Sequence, residues 1–237
     1  LNLTGIPIQP DQLYALDVGH NLISYPLPDC GSIDEVLPDD VEECIYAISG
    51  EGIASVNTEN GWIGTLLSLC PNDGYWFSSM CNIDFTFDEP ASLARRQIIS
   101  PSPRPYNQSS QQAFYFIESV ENIEIGDFLF AYNGDVVIGA REWTGEIIDV
   151  PVMGDDGSNF TAGYMEAGVA PQFKLLKDGD LIDLVGDIPA FENNQLYMVA
   201  SLTQAIALPE LFSLDRAYPN PFNPVTTLSF AIPVDNE

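Results

Sequence analysis

The sequence predicts an all-β fold: two β-sandwich or small-barrel modules joined by a proline-rich linker, with a C-terminal extended strand. Three observations support this prediction: helix signals are scarce, short apolar stretches alternate with turn residues, and prolines cluster between the β-rich parts. The predicted parts are a first module at 1–88, a linker at 89–112, a second module at 113–205, a proline-rich linker at 206–224 and the strand at 225–237.

In the first module, short strand-like stretches are separated by Gly, Asn, Asp and Pro. These stretches are 21–27, 44–50, 61–69, 74–79 and 83–87. The best helix signal lies among them, where Ser32 and Glu35 have the spacing of a capping box and Pro38 ends the turn.

In the second module, two dipeptides mark hairpin turns. Asn133-Gly134 and Asp178-Gly179 both tolerate the positive φ that a tight turn requires. The strand patterns around them are 113–120, 127–143, 146–153, 171–185 and 196–202. Prolines 90, 101, 103 and 105 predict that the linker before this module is extended rather than flexible.

All four cysteines, Cys30, Cys44, Cys70 and Cys81, lie in the first module. None has the CxxC spacing of a zinc site, and an even count in one region indicates two disulfides and an oxidising compartment. Four cysteines allow three connectivities. We favour Cys30–Cys44 and Cys70–Cys81 because each pair is close in sequence and brackets a turn; buried free thiols are the alternative.

The charge balance is extreme, with 35 acidic against 7 basic residues and a net charge of −28. Such a chain is not expected to bind nucleic acid or anionic membrane surfaces. No apolar run reaches the ~20 residues of a membrane helix, so no membrane insertion is expected. The acidity indicates either a solvated extracellular surface or binding of divalent cations.

The loop at 153–168 is the candidate cation site. Its oxygen ligands for Ca²⁺ would come from Asp155, Asp156, Asn159 and Glu166. Their spacing is not that of an EF-hand. The alternative is an Asp/Gly turn whose side chains bond their own backbone.

Catalytic patterns are missing from the sequence. His20 is the only histidine, so any Ser/His/Asp triad would have to include it. The sequence has no Gly-x-Ser-x-Gly turn, no glycine-rich phosphate-binding loop and no dinucleotide-binding fingerprint. Carboxylates are abundant, so a glycosidase-type pair stays open as an alternative. We predict a protein that is not an enzyme, with no catalytic residues and no cofactor apart from the calcium considered above.

Aromatic residues and sequons suggest a role in glycan chemistry. Trp62, Trp143 and Tyr164 could stack on sugar rings, although core packing is the more ordinary role of such residues. Asn2, Asn107 and Asn159 each begin an Asn-x-Ser/Thr sequon, a candidate glycosylation site.

The final segment alternates like a strand, with one face formed by Thr226, Leu228, Phe230 and Ile232. A single strand cannot satisfy its own backbone, and residues 233–237 cannot supply a second one. It should therefore pair with an edge of the second module or with an edge in a neighbouring subunit. The second case would generate a head-to-tail fibre.

Four segments carry a resemblance to three known modules. "HNLISYPLP" and "GWIGTLLSLCPNDGYWF" resemble a module of large secreted proteins of Bacteroidetes-like and marine environmental bacteria, although His20 stands where that pattern has Trp. "GDFLFAYNGDVVIGAREW" resembles the β module that commonly follows it. "AYPNPFNPVTTLSFAIP" is similar to the opening of the type IX secretion system C-terminal sorting domain, of which the chain has the first strand.

The resemblance implies export by the type IX machinery and an extracellular or outer cell-surface location, but no reaction. The first functional hypothesis is a non-enzymatic structural or adhesive protein, whose partner is a second copy of itself in an extracellular fibre. The alternative is a carbohydrate-binding accessory module of a larger secreted hydrolase, whose partner is a cell-surface glycan.

Overall fold

A computed structural model describes residues 9, 11–91, 105–205, 213–218, 220–221 and 224–231. Strands dominate these residues and the two helices are one turn each, which confirms the predicted all-β class. The chain divides into two compact units, residues 1–204 and residues 205–237. Both predicted modules lie in the first unit, and we refer to residues 11–91 as the N-lobe and residues 105–204 as the C-lobe.

The N-lobe is built on a five-stranded antiparallel sheet with the order β2-β8-β4-β5-β6, beside two small sheets that pair β1 with β9 and β3 with β7. Its strands are β1 (Tyr14–Leu16), β2 (Gly19–Ser24), β3 (Gly31–Ser32), β4 (Ile45–Ser49), β5 (Ala54–Thr58), β6 (Gly61–Gly64), β7 (Ser68–Leu69), β8 (Gly74–Ser79) and β9 (Ile83–Phe85). The helices are α1 (Ile33–Val36) and α2 (Asp39–Glu42). Ser32 holds the N-cap position of α1, but its side chain forms no capping hydrogen bond.

The N-lobe core is rich in aromatic rings. Phe77, Phe85 and Phe87 are buried, and Phe87 packs edge-to-face against Phe85 with 5.0 Å between ring centroids. Tyr25 contacts Phe87 in the same way at 5.2 Å. Burial raises the pKa of the Tyr25 hydroxyl to about 12. Edge-to-face contacts of this kind add to the stabilisation from apolar burial.

The N-lobe contains two disulfides, as predicted, but the favoured connectivity is wrong. The bonds join Cys30 to Cys70 and Cys44 to Cys81. Strand pairing explains the first bond, because Gly31 lies opposite Leu69 in the β3–β7 pair and the two cysteines are the next residues outward. The second bond lies at the end of the β4–β8 pair, where the Met80 amide donates to the Cys44 carbonyl. Both bridges thus cross-link neighbouring strands rather than closing short turns.

The C-lobe has two sheets. One has the order β13-β10-β16 and the other has the order β12-β11-β14-β15-β17. Its strands are β10 (Gln112–Ile117), β11 (Phe128–Asn133), β12 (Val136–Glu142), β13 (Ile148–Met153), β14 (Gln172–Lys177), β15 (Asp180–Val185), β16 (Leu196–Val199) and β17 (Thr203–Gln204). The two predicted hairpins join β11 to β12 and β14 to β15, and Gly134, Asp178 and Gly179 have positive φ there.

The two lobes share a buried interface along β10, all six residues of which are buried. Phe114 and Phe116 pack on one face against a cluster formed by Ala47, Ala54 and Val56 of the N-lobe. Tyr115 and the other alternate residues of the strand face the C-lobe core. Burial on both faces explains why residues 113–117 of this strand are all apolar or aromatic rather than alternating with polar residues.

The predicted linker at 89–112 extends too far towards the C-lobe. Tyr106 belongs to the C-lobe core, Ser109 is buried with its hydroxyl donating to the Gly154 carbonyl at 2.7 Å, and β10 begins at Gln112. These residues pack because hydrogen bonds tie them to the 154–166 loop, one from the Ser109 hydroxyl and one from the Gly154 amide to the Gln111 carbonyl at 2.8 Å. Arg95, Arg96 and the rest of 92–104 lie outside the described residues.

The second unit contains an antiparallel pair of short strands, β18 (Ser213–Leu214) and β19 (Phe230–Ala231). An isolated bridge between Tyr218 and Thr227 continues the pairing. Among the described residues, the final strand therefore pairs with residues of the predicted 206–224 linker rather than with an edge of the second module. Its partner strand lies directly before the proline cluster, where the sequence pattern predicts a linker.

Candidate functional site

His20 has structural contacts. It lies on β2, with Nδ1 2.9 Å from the Ser78 hydroxyl of the neighbouring strand and Nε2 3.2 Å from the side-chain nitrogen of Gln195 in the C-lobe. Across the described parts of the chain, no group of three or more His, Cys, Asp and Glu side chains could hold a metal ion.

The loop that carries the predicted calcium ligands is held by its own hydrogen bonds. Asp155 accepts the Gly157 amide at 2.8 Å, and Asp156 accepts the Ser158 amide at 3.0 Å and the Thr161 hydroxyl at 2.7 Å. The hydroxyls of Thr161 and Ser158, followed by backbone amides, lower the pKa of Asp156. These contacts are those of the alternative interpretation, an Asp/Gly turn. Asn159 and Glu166 are exposed in the same loop.

Thr161 is fully buried, and Thr161→Val should destabilise the protein at pH 7 because the Asp156 carboxylate loses its shortest hydrogen bond. A carboxyl whose pKa is lower in the folded state stabilises the fold above its ordinary pKa, here 3.8, and this stabilisation is lost as the pH falls. The difference in melting temperature between variant and wild type should therefore be constant from pH 7 to about pH 5 and shrink as the pH falls below 3.8, towards the lowered pKa of Asp156.

Asn159→Ala is the control, since its side chain is exposed, and should behave as wild type. A deficit for Thr161→Val that is independent of pH would contradict the role of Asp156. If millimolar Ca²⁺ raises the melting temperature and Asp155→Asn/Asp156→Asn removes that increment, the carboxylates bind the ion after all.

Two of the three predicted sugar-stacking residues are buried, which corrects that prediction at these positions. Trp143 and Tyr164 are 7% and 5% exposed and belong to the C-lobe core. Both rings pack among the other apolar side chains of that core, so their faces are not accessible to a sugar. Trp62 is half-buried on β6, and its Nε1 donates to the Glu42 carboxylate at 3.1 Å. Burial raises the pKa of that carboxyl.

The sequons at Asn107 and Asn159 are tied into one region of the C-lobe. The backbone amide of Asn107 donates to the Tyr164 hydroxyl at 2.7 Å, and the side-chain nitrogen of Asn107 donates to the Phe160 carbonyl at 3.1 Å. The hydroxyl residues of the two sequons, Ser109 and Thr161, are both buried. Asn2 lies outside the described residues.

A buried ion pair at the lobe interface was not predicted from the sequence. Arg141 on β12 and Asp149 on β13 are 4% and 0% exposed, with 3.0 Å between Nη2 and Oδ2. Burial raises the pKa of Asp149, whereas Arg141 and the hydrogen bonds that the carboxylate accepts act in the opposite direction. The sequence signal for this pair is that Arg141 and Asp149 each lie inside an otherwise apolar strand pattern.

This pair connects the two lobes directly. The Asp149 carboxylate accepts the Ala54 amide at 3.0 Å and both the amide and the hydroxyl of Thr65, at 2.9 and 2.7 Å. Arg141 donates to the Gly52 carbonyl at 2.8 Å. The groups of the ion pair thus satisfy N-lobe backbone atoms that would otherwise be buried without partners.

The predicted strand-exchange residues lie on the C-terminal hairpin, which we define as the described residues of 213–231. Leu228 and Phe230 are 59% and 66% exposed, and Leu214 on the partner strand is 73% exposed. Thr226 is half-buried, and Ile232 lies outside the described residues. Each strand of the hairpin has one strand partner among the described residues, and no described strand pairs with either outer edge.

The described cations are distributed unequally. Arg141, Lys174 and Lys177 of the first unit all form ion pairs, Lys174 with Asp183 at 2.7 Å and Lys177 with Glu124 at 2.8 Å. Arg216 of the C-terminal hairpin is exposed and has no ion pair with any residue that the structure describes.

No family model, curated protein or solved structure matches the chain. Among the described residues, no helix is long and apolar enough to cross a membrane.

Proposed function

We propose that this chain is a non-enzymatic structural or adhesive protein, exported by a type IX pathway, and that copies of it associate into an extracellular fibre by strand addition. The observation that carries the proposal is the C-terminal hairpin, which combines open edges with exposed apolar side chains. The partner is a second copy of the same chain.

The physics of short hairpins supports this proposal. A two-stranded hairpin is marginally stable in water, and open strand edges favour pairing with another chain. Covering Leu214, Leu228 and Phe230 would stabilise a complex by roughly 1.5–3 kcal/mol for each fully buried side chain, before the cost of association. Pairing with a neighbouring strand would supply both the backbone partners and the apolar cover.

The two disulfides support the proposed location. They indicate a non-reducing environment, since cytosolic thiols are kept reduced. An extracellular or outer cell-surface site meets that requirement and agrees with the similarity of residues 217–233 to a sorting domain. The net charge of −28 would keep the assembled surfaces apart except where apolar contacts outweigh repulsion.

Deletion of residues 213–237 should convert assembled protein into folded monomers. Sedimentation velocity and electron micrographs would measure assembly, and circular dichroism would confirm that the first unit stays folded. Phe230→Lys should act in the same direction, because a charge on the hairpin opposes apolar docking. The matched control is Ile125→Lys in the C-lobe, since Ile125 is 77% exposed and lies outside the hairpin. Assembly that survives the deletion, or a full chain that stays monomeric at high concentration, would refute strand addition.

The alternative proposal, carbohydrate binding, now depends on Trp62. This ring is half-buried, so part of its apolar surface is accessible, and its Nε1 donates to the Glu42 carboxylate. A polysaccharide pull-down should lose binding with Trp62→Ala. Retention of binding by Trp62→Ala would exclude Trp62 as the binding residue, and no binding by wild type would leave the assembly proposal standing alone.

A further inference from the structure

The last strand of the smaller C-lobe sheet has an open edge. β16 is hydrogen-bonded to β10 on one side and has no strand on the other, as the sheet order β13-β10-β16 shows for the described residues. Met198 at the centre of β16 is 48% exposed. Open edges with exposed apolar residues are sites where an incoming strand can pair.

A cleft lies beside this edge. It has a volume of about 240 Å³, and its lining includes Val185, Asp187, Met198 and Thr203. Val185 is 49% exposed, so the cleft has apolar surface contributed by both C-lobe sheets. Pockets that bind small molecules usually measure about 300–1,000 Å³. This smaller cleft fits a side chain better than a separate ligand.

The edge of β16 differs from the opposite side of the C-lobe. There, β12 and β13 abut closely, and the Arg141 Nε donates to the Asp149 carbonyl at 2.8 Å. Among the described residues, the smaller sheet is therefore open to an added strand at β16, whereas its β13 side is occupied by contacts with β12.

We propose that the β16 edge and its cleft are the acceptor for the C-terminal hairpin of a second copy. This inference rests on the proposed function and names the surface that the hairpin binds. An apolar residue of the hairpin, Leu228 or Phe230, contacts Met198 and Val185, while Arg216 faces Asp187.

Charge and exposure favour this occupant. The described hairpin carries one acid, Asp215, and one base, Arg216, in a chain whose net charge is −28. These two charges cancel, so the described hairpin can approach an acidic surface without net repulsion. Phe230 and Met198 are 66% and 48% exposed, so their contact in a complex would remove apolar surface from water.

The hairpin is the donor surface and the β16 edge with its cleft is the acceptor surface. Because the two surfaces differ, the contact between copies is head-to-tail and can repeat along an open fibre. Met198→Lys should therefore block the acceptor but leave the hairpin intact, and Phe230→Lys should do the reverse. Neither variant alone should assemble. Mixed together they should form a 1:1 dimer and stop there, which analytical ultracentrifugation would detect as a doubled mass.

The matched control is Leu22→Lys, because Leu22 is 63% exposed on β2, which is also an edge strand. It should assemble as wild type. A charge-reversal pair tests the ionic contact: Asp187→Arg and Arg216→Asp should each raise the concentration needed for assembly about tenfold, equivalent to about 1.4 kcal/mol, and the double variant should restore it.

The outcomes separate the two proposals. If wild type assembles and loses assembly on hairpin deletion, but Met198→Lys has no effect, the acceptor lies elsewhere while strand addition stands. If wild type is monomeric and Met198→Lys makes the hairpin sensitive to protease, the occupant is the chain's own hairpin and both proposals fail. Assembly unaffected by deletion also overturns both.

Discussion

Asp149→Asn should cost about 3–5 kcal/mol of unfolding free energy, because removing one partner of a buried ion pair leaves the other charge buried and uncompensated. Asp149 is fully buried, and its carboxylate binds Arg141 and backbone or side-chain donors of Ala54 and Thr65. The asparagine side chain would present an amide NH₂ group to at least one of these donors. The interface between the N-lobe and the C-lobe would lose some of its polar contacts, those to Ala54 and Thr65.

Urea unfolding followed by fluorescence would measure this loss. The matched control is Asp183→Asn, because Asp183 forms its ion pair with Lys174 at the surface and its side chain is 66% exposed. Exposed pairs contribute about 0–1 kcal/mol, so this variant should stay close to wild type. A loss below about 1 kcal/mol for Asp149→Asn would contradict the assigned role.

Replacing both members of the pair separates the cost of an unpaired buried charge from the cost of losing polar contacts between the lobes. In Arg141→Met/Asp149→Leu no charge is left buried, so the loss should be smaller than in Asp149→Asn. It should not vanish, because the Ala54 and Thr65 amides and the Gly52 carbonyl lose their partners. A double variant less stable than Asp149→Asn would contradict the assigned cost of an unpaired buried charge.

Cys44→Ala/Cys81→Ala should cost about 4 kcal/mol in the chain-entropy description, because the bridge closes a loop with a sequence separation of 37 residues. The Cys30–Cys70 bridge, with a separation of 40, should contribute a similar amount. The two loops overlap along the chain, so the losses should not simply add. Thermal unfolding of each double variant would measure them.

Met80→Ala is the control for the Cys44–Cys81 site, since Met80 is 59% exposed beside Cys81 and its loss should have little effect. With reductant, limited proteolysis should cut the N-lobe first, because both bridges lie there. Loss of the N-lobe would also expose Phe114 and Phe116, so protection of the C-lobe should decline afterwards. Simultaneous cleavage of both lobes at the outset would contradict this order.

Features that depend on neighbouring residues could be predicted from the sequence alone. The all-β class follows from short strand patterns, and the hairpins at Gly134 and Gly179 follow from dipeptides that accept positive φ. The presence of disulfides followed from the even number of cysteines in one region. The strand and turn signals are contained in a few consecutive residues and the cysteine signal is a count within one region, so none of them needs knowledge of the tertiary fold.

Features that depend on distant residues were decided by the tertiary structure. Cys30 bonds to Cys70 because β3 pairs with β7, and proximity in sequence gave the wrong partner. The same limitation applies to Trp143, which is buried by packing that its neighbours in the chain do not reveal. The final strand pairs with residues 213–218, and Arg141 meets Asp149 at a lobe interface. Strand pairing and burial join residues tens of positions apart, so the free energy that selects a partner resides in contacts that local patterns do not encode.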